Sequence, residues 1–258
     1  MKKLIIFFKG LSAIFGRPLN FLTSLIYKEK CVICNKVLDS SISSYGLSGC
    51  SKTQNILCKT CAKDVEFLSC FPHTHFQDIK IYSACLYKGV VRQLIHKLKF
   101  NHKKDVAKVL ACFLYEFYRK IEEFNKAENI SCLSAENAVL VAVPTNKNNI
   151  KQRGYNNVFE IVKEFSNLTN IPYSKNFLLK TKNTKPQYKL TLNKRKLNVS
   201  GCFNINIEEY QKFKGKTVVI IDDIYTTGAT VREIIKTLKL NNINNFFLIT
   251  LSKSVQKI

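Results

Sequence analysis

Runs of consecutive apolar residues alternate along this chain with segments whose apolar residues recur every three or four positions. The runs Ile81–Tyr87, Ala138–Val143, Val218–Ile221 and Phe246–Leu251 predict strands buried on both faces. Helical spacing appears at Gly89–Phe100, where Val91, Leu94, Ile95 and Leu98 point inward and Arg92, His96, Lys97 and Lys99 outward. It recurs from about Lys103 to Phe124, at Val158, Ile161, Val162 and Phe165, and at Val231, Ile234, Ile235 and Leu238. The polar Lys120–Glu136 stretch reads as a loop or frayed end. Residues 1–27 predict one or two short amphipathic helices broken near Gly16–Pro18, packed on the body or touching a membrane surface. Strands that alternate with helices make an α/β fold with a mostly parallel sheet. No internal repeat is present.

The chain is organised around Thr217–Thr230. A β-branched run ends in two carboxylates, Asp222 and Asp223; Thr226, Thr227, Gly228, Ala229 and Thr230 follow, and then a helix begins. Ligands of open α/β sheets bind beyond the carboxyl ends of strands. A small-residue turn at a helix start offers backbone N–H groups and hydroxyls to a phosphate, and Gly228 lets the backbone come close. Two carboxylates beside that cradle would repel phosphate, so they face ribose hydroxyls or magnesium. This stretch resembles the phosphoribosyl-pyrophosphate (PRPP) motif of type I phosphoribosyltransferases. A second phosphate loop is expected at Thr145-Asn-Lys-Asn after Val143-Pro144, and Arg153 before Gly154 reads as a basic arm that closes over pyrophosphate.

Cysteines add a second constellation. Cys31-Val-Ile-Cys34 and Cys58-Lys-Thr-Cys61 flank a Ser-rich insert and offer four thiolates for tetrahedral structural zinc. A pair of redox motifs is the alternative, but no thioredoxin-like frame surrounds them. Cys50, Cys70, His73 and His75 are irregularly spaced bystanders; Cys85, Cys112, Cys132 and Cys202 read as lone core thiols. The division expected is an amphipathic segment at 1–27, a four-cysteine module at 28–72 and an α/β domain at 78–258.

The formal net charge of +23 points to a polyanionic partner. Only six of the 41 basic residues are arginine, and lysine and asparagine rise together under AT-biased codon usage, so part of that charge is compositional. No run reaches transmembrane length, and the N-terminal apolar run is too short for a secretory signal. The chain reads as cytoplasmic, with thiols reduced or metal-bound.

Together these segments resemble the competence protein ComF (ComFC) family over nearly the whole length. The carrying residues are Cys31, Cys34, Cys58 and Cys61; Tyr87, Gly89, Arg92, Ile95 and Lys99; Val143-Pro144; Arg153-Gly-Tyr-Asn156; Thr181 or Thr184 with Pro186-Gln187; Arg195, Asn198, Gly201 and Phe203; and Asp222–Thr230. Asn157 stands where the family usually has Gln, and Thr145-Asn-Lys follows Val-Pro in place of the commoner Leu-His. The resemblance implies a type I phosphoribosyltransferase-like core behind a zinc finger. It also implies a cytosolic role in natural transformation on incoming single-stranded DNA, beside a helicase-like partner and recombination loading proteins. Three functions follow from it. One is a competence factor with a PRPP-binding site; another is a phosphoribosyltransferase acting on a nucleobase or amine with PRPP and magnesium; the third is a PRPP-sensing protein without turnover. In the enzyme, Asp222 and Asp223 would hold the ribose hydroxyls, Thr226–Thr230 the 5-phosphate, and magnesium with Arg153 the leaving pyrophosphate.

Overall fold

The computed structural model describes residues 29–38, 56–72, 74–76, 79–127, 133–182 and 200–255. The expected amphipathic segment at 1–27, the insert from Asp39 to Lys52, Cys132, and the segment holding Thr184, Pro186, Gln187, Leu190, Arg195 and Asn198 lie outside the described residues. In chain order the elements are α1 (Lys59–Lys63), β1 (Thr74–Phe76), β2 (Ile79–Leu86), α2 (Gly89–Phe100), α3 (Val106–Ala127), β3 (Ala138–Ala142), α4 (Lys147–Arg153) and α5 (Asn157–Thr169). They continue with β4 (Tyr173–Ser174), β5 (Leu178–Lys180), β6 (Phe203–Ile205), α6 (Ile207–Lys212), β7 (Thr217–Tyr225), α7 (Ala229–Leu240) and β8 (Phe246–Lys253).

Six strands pair in the order β1-β2-β8-β7-β3-β4. All neighbours run parallel except the β1–β2 pair, and β5 and β6 form a separate antiparallel ribbon. This is the expected α/β phosphoribosyltransferase-like core with a mostly parallel sheet, preceded by a small four-cysteine module. Strand β7 lies at its centre. Val218, Ile220 and Ile221 have no exposed surface and Val219 has 1%, as a strand covered on both faces requires.

Alternate residues of β7 feed two apolar layers. Val219 and Ile221 join a cluster built with α2, α3 and α5, centred on Phe113, Phe117 and Phe165. Val218 and Ile220 join Ile234, Ile235 and Leu238 of α7 and Phe177, Leu178 and Phe203 around the β5–β6 ribbon. Deleting one of those large rings costs about 3–5 kcal/mol. The first layer also takes in Cys31, Leu57, Cys61 and Val65, so the four-cysteine segment packs on the same core. Leu68 donates its N–H to Ala84 O and Leu86 donates to Glu66 O, which lays residues 66–68 along β2.

Cys85 and Cys202 are buried thiols, as expected, and burial pushes both thiols up. Cys112 departs from expectation: it lies on the buried face of α3 and is disulfide-bonded rather than a lone thiol. Among the described residues no helix is long and apolar enough to cross a membrane.

Candidate functional site

At its carboxyl half β7 loses one neighbour. Pairing with β3 ends at Ile221↔Ala142, whereas pairing with β8 runs on to Tyr225↔Lys253. From β3 the chain leaves through α4 and α5 toward β4 at one edge; from β7 it leaves through α7 toward β8 on the opposite side. Two adjacent parallel strands whose connections part in opposite directions leave a crevice between their carboxyl ends, the usual ligand position in such sheets. Asp222 and Asp223 occupy that gap. Sequence reading expected the strand to stop before them; β8 holds it extended for four more residues, so the acids are strand residues on opposite faces.

Asp223 faces the α2–α5 layer and is 8% exposed. Its Oδ2 accepts from Lys99 Nζ at 2.7 Å and from Asn157 Nδ2 at 2.5 Å. Its main-chain carbonyl accepts from Ser252 Oγ at 2.9 Å. Asp222 faces the β5–β6 ribbon, and its Oδ1 accepts the N–H of Asp223 at 2.8 Å. Burial, reinforced by the neighbouring Asp223 charge, raises the Asp222 carboxyl to about 7 against the pull of the Asp223 N–H, Lys99 and Lys180. Burial in turn lowers the Lys180 ammonium, with Cys202 and Asp222 opposing it.

Of these partners, Lys99, Asn157 and Lys180 were not identified as site residues by sequence. Lys99 was expected to face outward. It sits one position after buried Leu98 and four after buried Ile95, so its stem runs along the apolar edge of α2 and its head reaches Asp223. The signal was present in the family segment that ends at Lys99. Asn157 starts α5 as a residue only 2% exposed, and buried amides are there to be hydrogen-bonded.

The turn after β7 is shorter than expected. Thr226, Thr227 and Gly228 form it, while Ala229 and Thr230 already belong to the first turn of α7. Gly228 takes φ +70° and begins the helix with no side-chain cap of its own, while Thr227 Oγ1 accepts the Ala229 N–H at 3.4 Å. A Cβ at Gly228 would lie 2.5 Å from the Tyr225 hydroxyl oxygen, so a side chain there must displace the Tyr225 ring and also take a φ that disfavours it. Arg232 Nη2 donates to Thr227 O at 2.6 Å and pins the turn from the following helix.

Thr145-Asn-Lys opens α4: Asn146 caps it, accepting from Asn148 N at 3.1 Å. Arg153, expected on a loop arm, is the last residue of that helix, and Gly154 closes it in the left-handed conformation at φ +79°. Its guanidinium lies 5.0 Å from the Phe100 ring centroid, and Nη1 donates to Asn157 Oδ1 at 3.3 Å. Asn157 thus joins Arg153 to Asp223 through its two amide atoms. Of the three catalytic candidates, Arg153 and Asp223 are joined through Asn157, Asp222 lies on the opposite face of the same strand, and Thr226, Thr227, Gly228, Ala229 and Thr230 follow at that strand's end.

The metal-site candidates also converge. Ligand atoms of Cys31, Cys34, Cys58 and Cys61 all lie within 4.8 Å of one another. Cys34 Sγ and Cys58 Sγ are 3.6 Å apart, close to the edge of about 3.8 Å for a tetrahedron with metal–sulfur bonds of about 2.3 Å. Burial raises the Cys31 thiol, but hydrogen bonds from the backbone of Cys34, Cys58 and Ile33 outweigh it and bring it to about 7. Burial pushes the Cys61 thiol up, and the neighbouring sulfurs add to that rise; a cation at their centre would reverse it. Among the described residues these are the one group able to hold a metal such as zinc; Cys70 is not part of it.

No protein-family model matches the chain. Over 221 residues, covering 83% of this chain and 92% of the relative, it is 26% identical to competence protein F of Haemophilus influenzae. Over 155 residues, 60% of this chain, it is 27% identical to DNA utilization protein YhgH of Escherichia coli. Over 162 residues it is 25% identical to the protein of that name from Salmonella typhimurium. The chain spans just under two thirds of these last two relatives, 63% and 66% of their lengths.

Proposed function

Because the chain belongs to the competence protein F (ComF) family, we propose that it serves DNA uptake and handles incoming single-stranded DNA beside a PRPP-binding site. The observation that carries this reading is the crevice at the carboxyl end of β7. There two acids on opposite faces of one strand meet a glycine-started helix in which a Cβ would collide with Tyr225. A phosphate beside a diol needs that combination. The turn takes the 5-phosphate, and Asp222 takes the ribose hydroxyls or a magnesium ion. Asp223, already paired with Lys99 and Asn157, orders the crevice wall and offsets one negative charge near the phosphate. Arg153 stands one amide away, where a pyrophosphate leaving group would extend. Zinc fits Cys31, Cys34, Cys58 and Cys61, where it would close the module onto the core.

The relatives' names, competence protein F and DNA utilization protein, support the DNA role. Helicase-like and recombination-loading partners follow from the family resemblance, as does a cytoplasmic location. Calorimetric titration of magnesium–PRPP into the zinc-loaded protein tests the site. Saturable heat that is lost in Asp222→Asn is expected, and no heat with the folded wild type overturns it. Turnover is then read as pyrophosphate release across a panel of nucleobases and amines.

A further inference from the structure

The segment Ile79–Lys104 contains no acidic residue, although it carries Lys80, Lys88, Arg92, Lys97, Lys99, Lys103 and Lys104. Acids are sparse in the whole chain, 18 in 258 residues, and Asp78 and Asp105 flank this segment, so what matters is where its cations stand. The outer face of α2 bounds a cleft of about 460 Å³ lined by Gly89, Arg92, Gln93, His96, Lys97 and Asn101. Two fixed cations, an imidazole and two amides line it without a carboxylate.

At the end of this face Phe100 is 52% exposed. A singly exposed ring is ordinary on a protein surface, and Phe71 and Leu240 are more open still; Phe100 is set apart by its neighbours. Its support is visible: the His96 ring lies 4.7 Å away, centroid to centroid, and the Arg153 guanidinium 5.0 Å away. These contacts tie the ring to His96, which lines the basic cleft, while leaving over half its surface open. The neighbouring residue, Lys99, reaches into the crevice and pairs with Asp223.

We propose that Phe100 is a base-stacking platform for single-stranded nucleic acid whose backbone phosphates lie along Arg92 and Lys97 of α2, next to the ribose-phosphate crevice. The proposal rests on the DNA reading above and adds where, and by what contacts, the strand is held. Stacking accepts any base because each has a π-face, and the cleft's cations contact phosphate without reading sequence. The amides of Gln93 and Asn101 in the same cleft can reach base edges, which favours nucleic acid over a protein or membrane surface.

The test uses the zinc-loaded full chain and fluorescence anisotropy with a labelled oligothymidylate of about 15 nucleotides, within the span of known single-strand sites. An abasic strand with the same number of phosphates serves as comparison. Phe100→Ala is expected to weaken oligothymidylate binding about ten-fold, the loss of roughly one stacked base, and to leave abasic binding unchanged. Phe100→Tyr keeps the wild-type affinity. Arg92→Ala and Lys97→Ala weaken both strands and flatten the salt dependence. Because Phe100 is so open, its alanine variant keeps the fold, and an unchanged melting temperature verifies that. The proposal is overturned if Phe100→Ala binds oligothymidylate as wild type does, or if it loses both strands equally. It is also overturned if the abasic strand binds wild type as tightly as the based one. Failure of every strand to bind wild type removes the DNA reading as well, whereas the PRPP titration stands or falls independently.

Discussion

Lys99→Met isolates the interaction that builds the crevice wall. The substitution keeps the aliphatic stem against α2 and removes the ammonium 2.7 Å from Asp223 Oδ2. Side-chain exposure is 21% for Lys99 and 11% for Asp223, so the pair is mostly, though not wholly, withdrawn from water. Breaking a buried pair by removing one partner costs about 3–5 kcal/mol, because the surviving charge is left uncompensated. With Asn157 still donating and some water present, about 2–3 kcal/mol is the appropriate loss. Asp223→Asn alone costs less, about 1 kcal/mol, since the Lys99 head can swing out to solvent. The double variant Lys99→Met/Asp223→Asn leaves no unpaired charge and should fall within about 1 kcal/mol of wild type. Urea unfolding of the four proteins gives the coupling directly; with a slope of about 2 kcal/mol per molar, Lys99→Met lowers the midpoint by about 1 M. A Lys99→Met midpoint equal to wild type, or strictly additive single changes, would refute the claim that this pair organises the site.

Three further outcomes follow. The Asp222 carboxyl sits at about 7 in the folded chain, above its unfolded value, because of burial and Asp223. Its contribution is therefore whole below about pH 4 and disappears as pH rises through 7, on the order of 4 kcal/mol in all. Urea midpoints at pH 5 and 7.5 should show Asp222→Asn gaining on wild type at the higher pH; parallel curves would contradict this. Gly228→Ala places a methyl against the Tyr225 hydroxyl at a positive φ, and should abolish magnesium–PRPP heat while lowering the melting temperature by several degrees. Cys58→Ser should reduce zinc, measured by atomic emission, from one equivalent toward none. It should also loosen Leu57 and Val65 from the core, seen as faster amide exchange along residues 57–68.

Much of this arrangement was legible in the chain. The helix Gly89–Phe100 matches its expected bounds because local signals coincide there: a glycine start, an apolar stripe and basic residues in the last turn. The strand–acid–turn–helix order of β7 and α7 was also local. The rest was not readable from periodicity because its causes lie far away in sequence. Strand β7 extends past the acids only because β8 pairs with it. Lys99 turns inward only because Asp223, more than a hundred residues later, needs a countercharge. Arg153 ends a helix and stacks on Phe100, a partner some fifty residues earlier that no spacing rule connects to it.

Strand β8 also dictates when the site can exist. It lies between β2 and β7, and both neighbours precede it in the chain. During synthesis, therefore, β2 with the cysteine segment and β7 with β3 and β4 are made as two half-sheets with facing, unpaired edges. They remain so until Phe246–Lys253 leaves the ribosome, an interval of seconds at about 5–20 residues per second. Open parallel edges are templates for the wrong partner, and joining them late is slow because the β2–β8 contacts span more than 160 residues. A nascent chain stopped before Phe246 would carry both acids and the glycine turn yet lack the strand that holds them extended. Ligand capture then becomes a property of the finished chain alone, and the stretch between Tyr225 and Phe246 is where a chaperone would matter most.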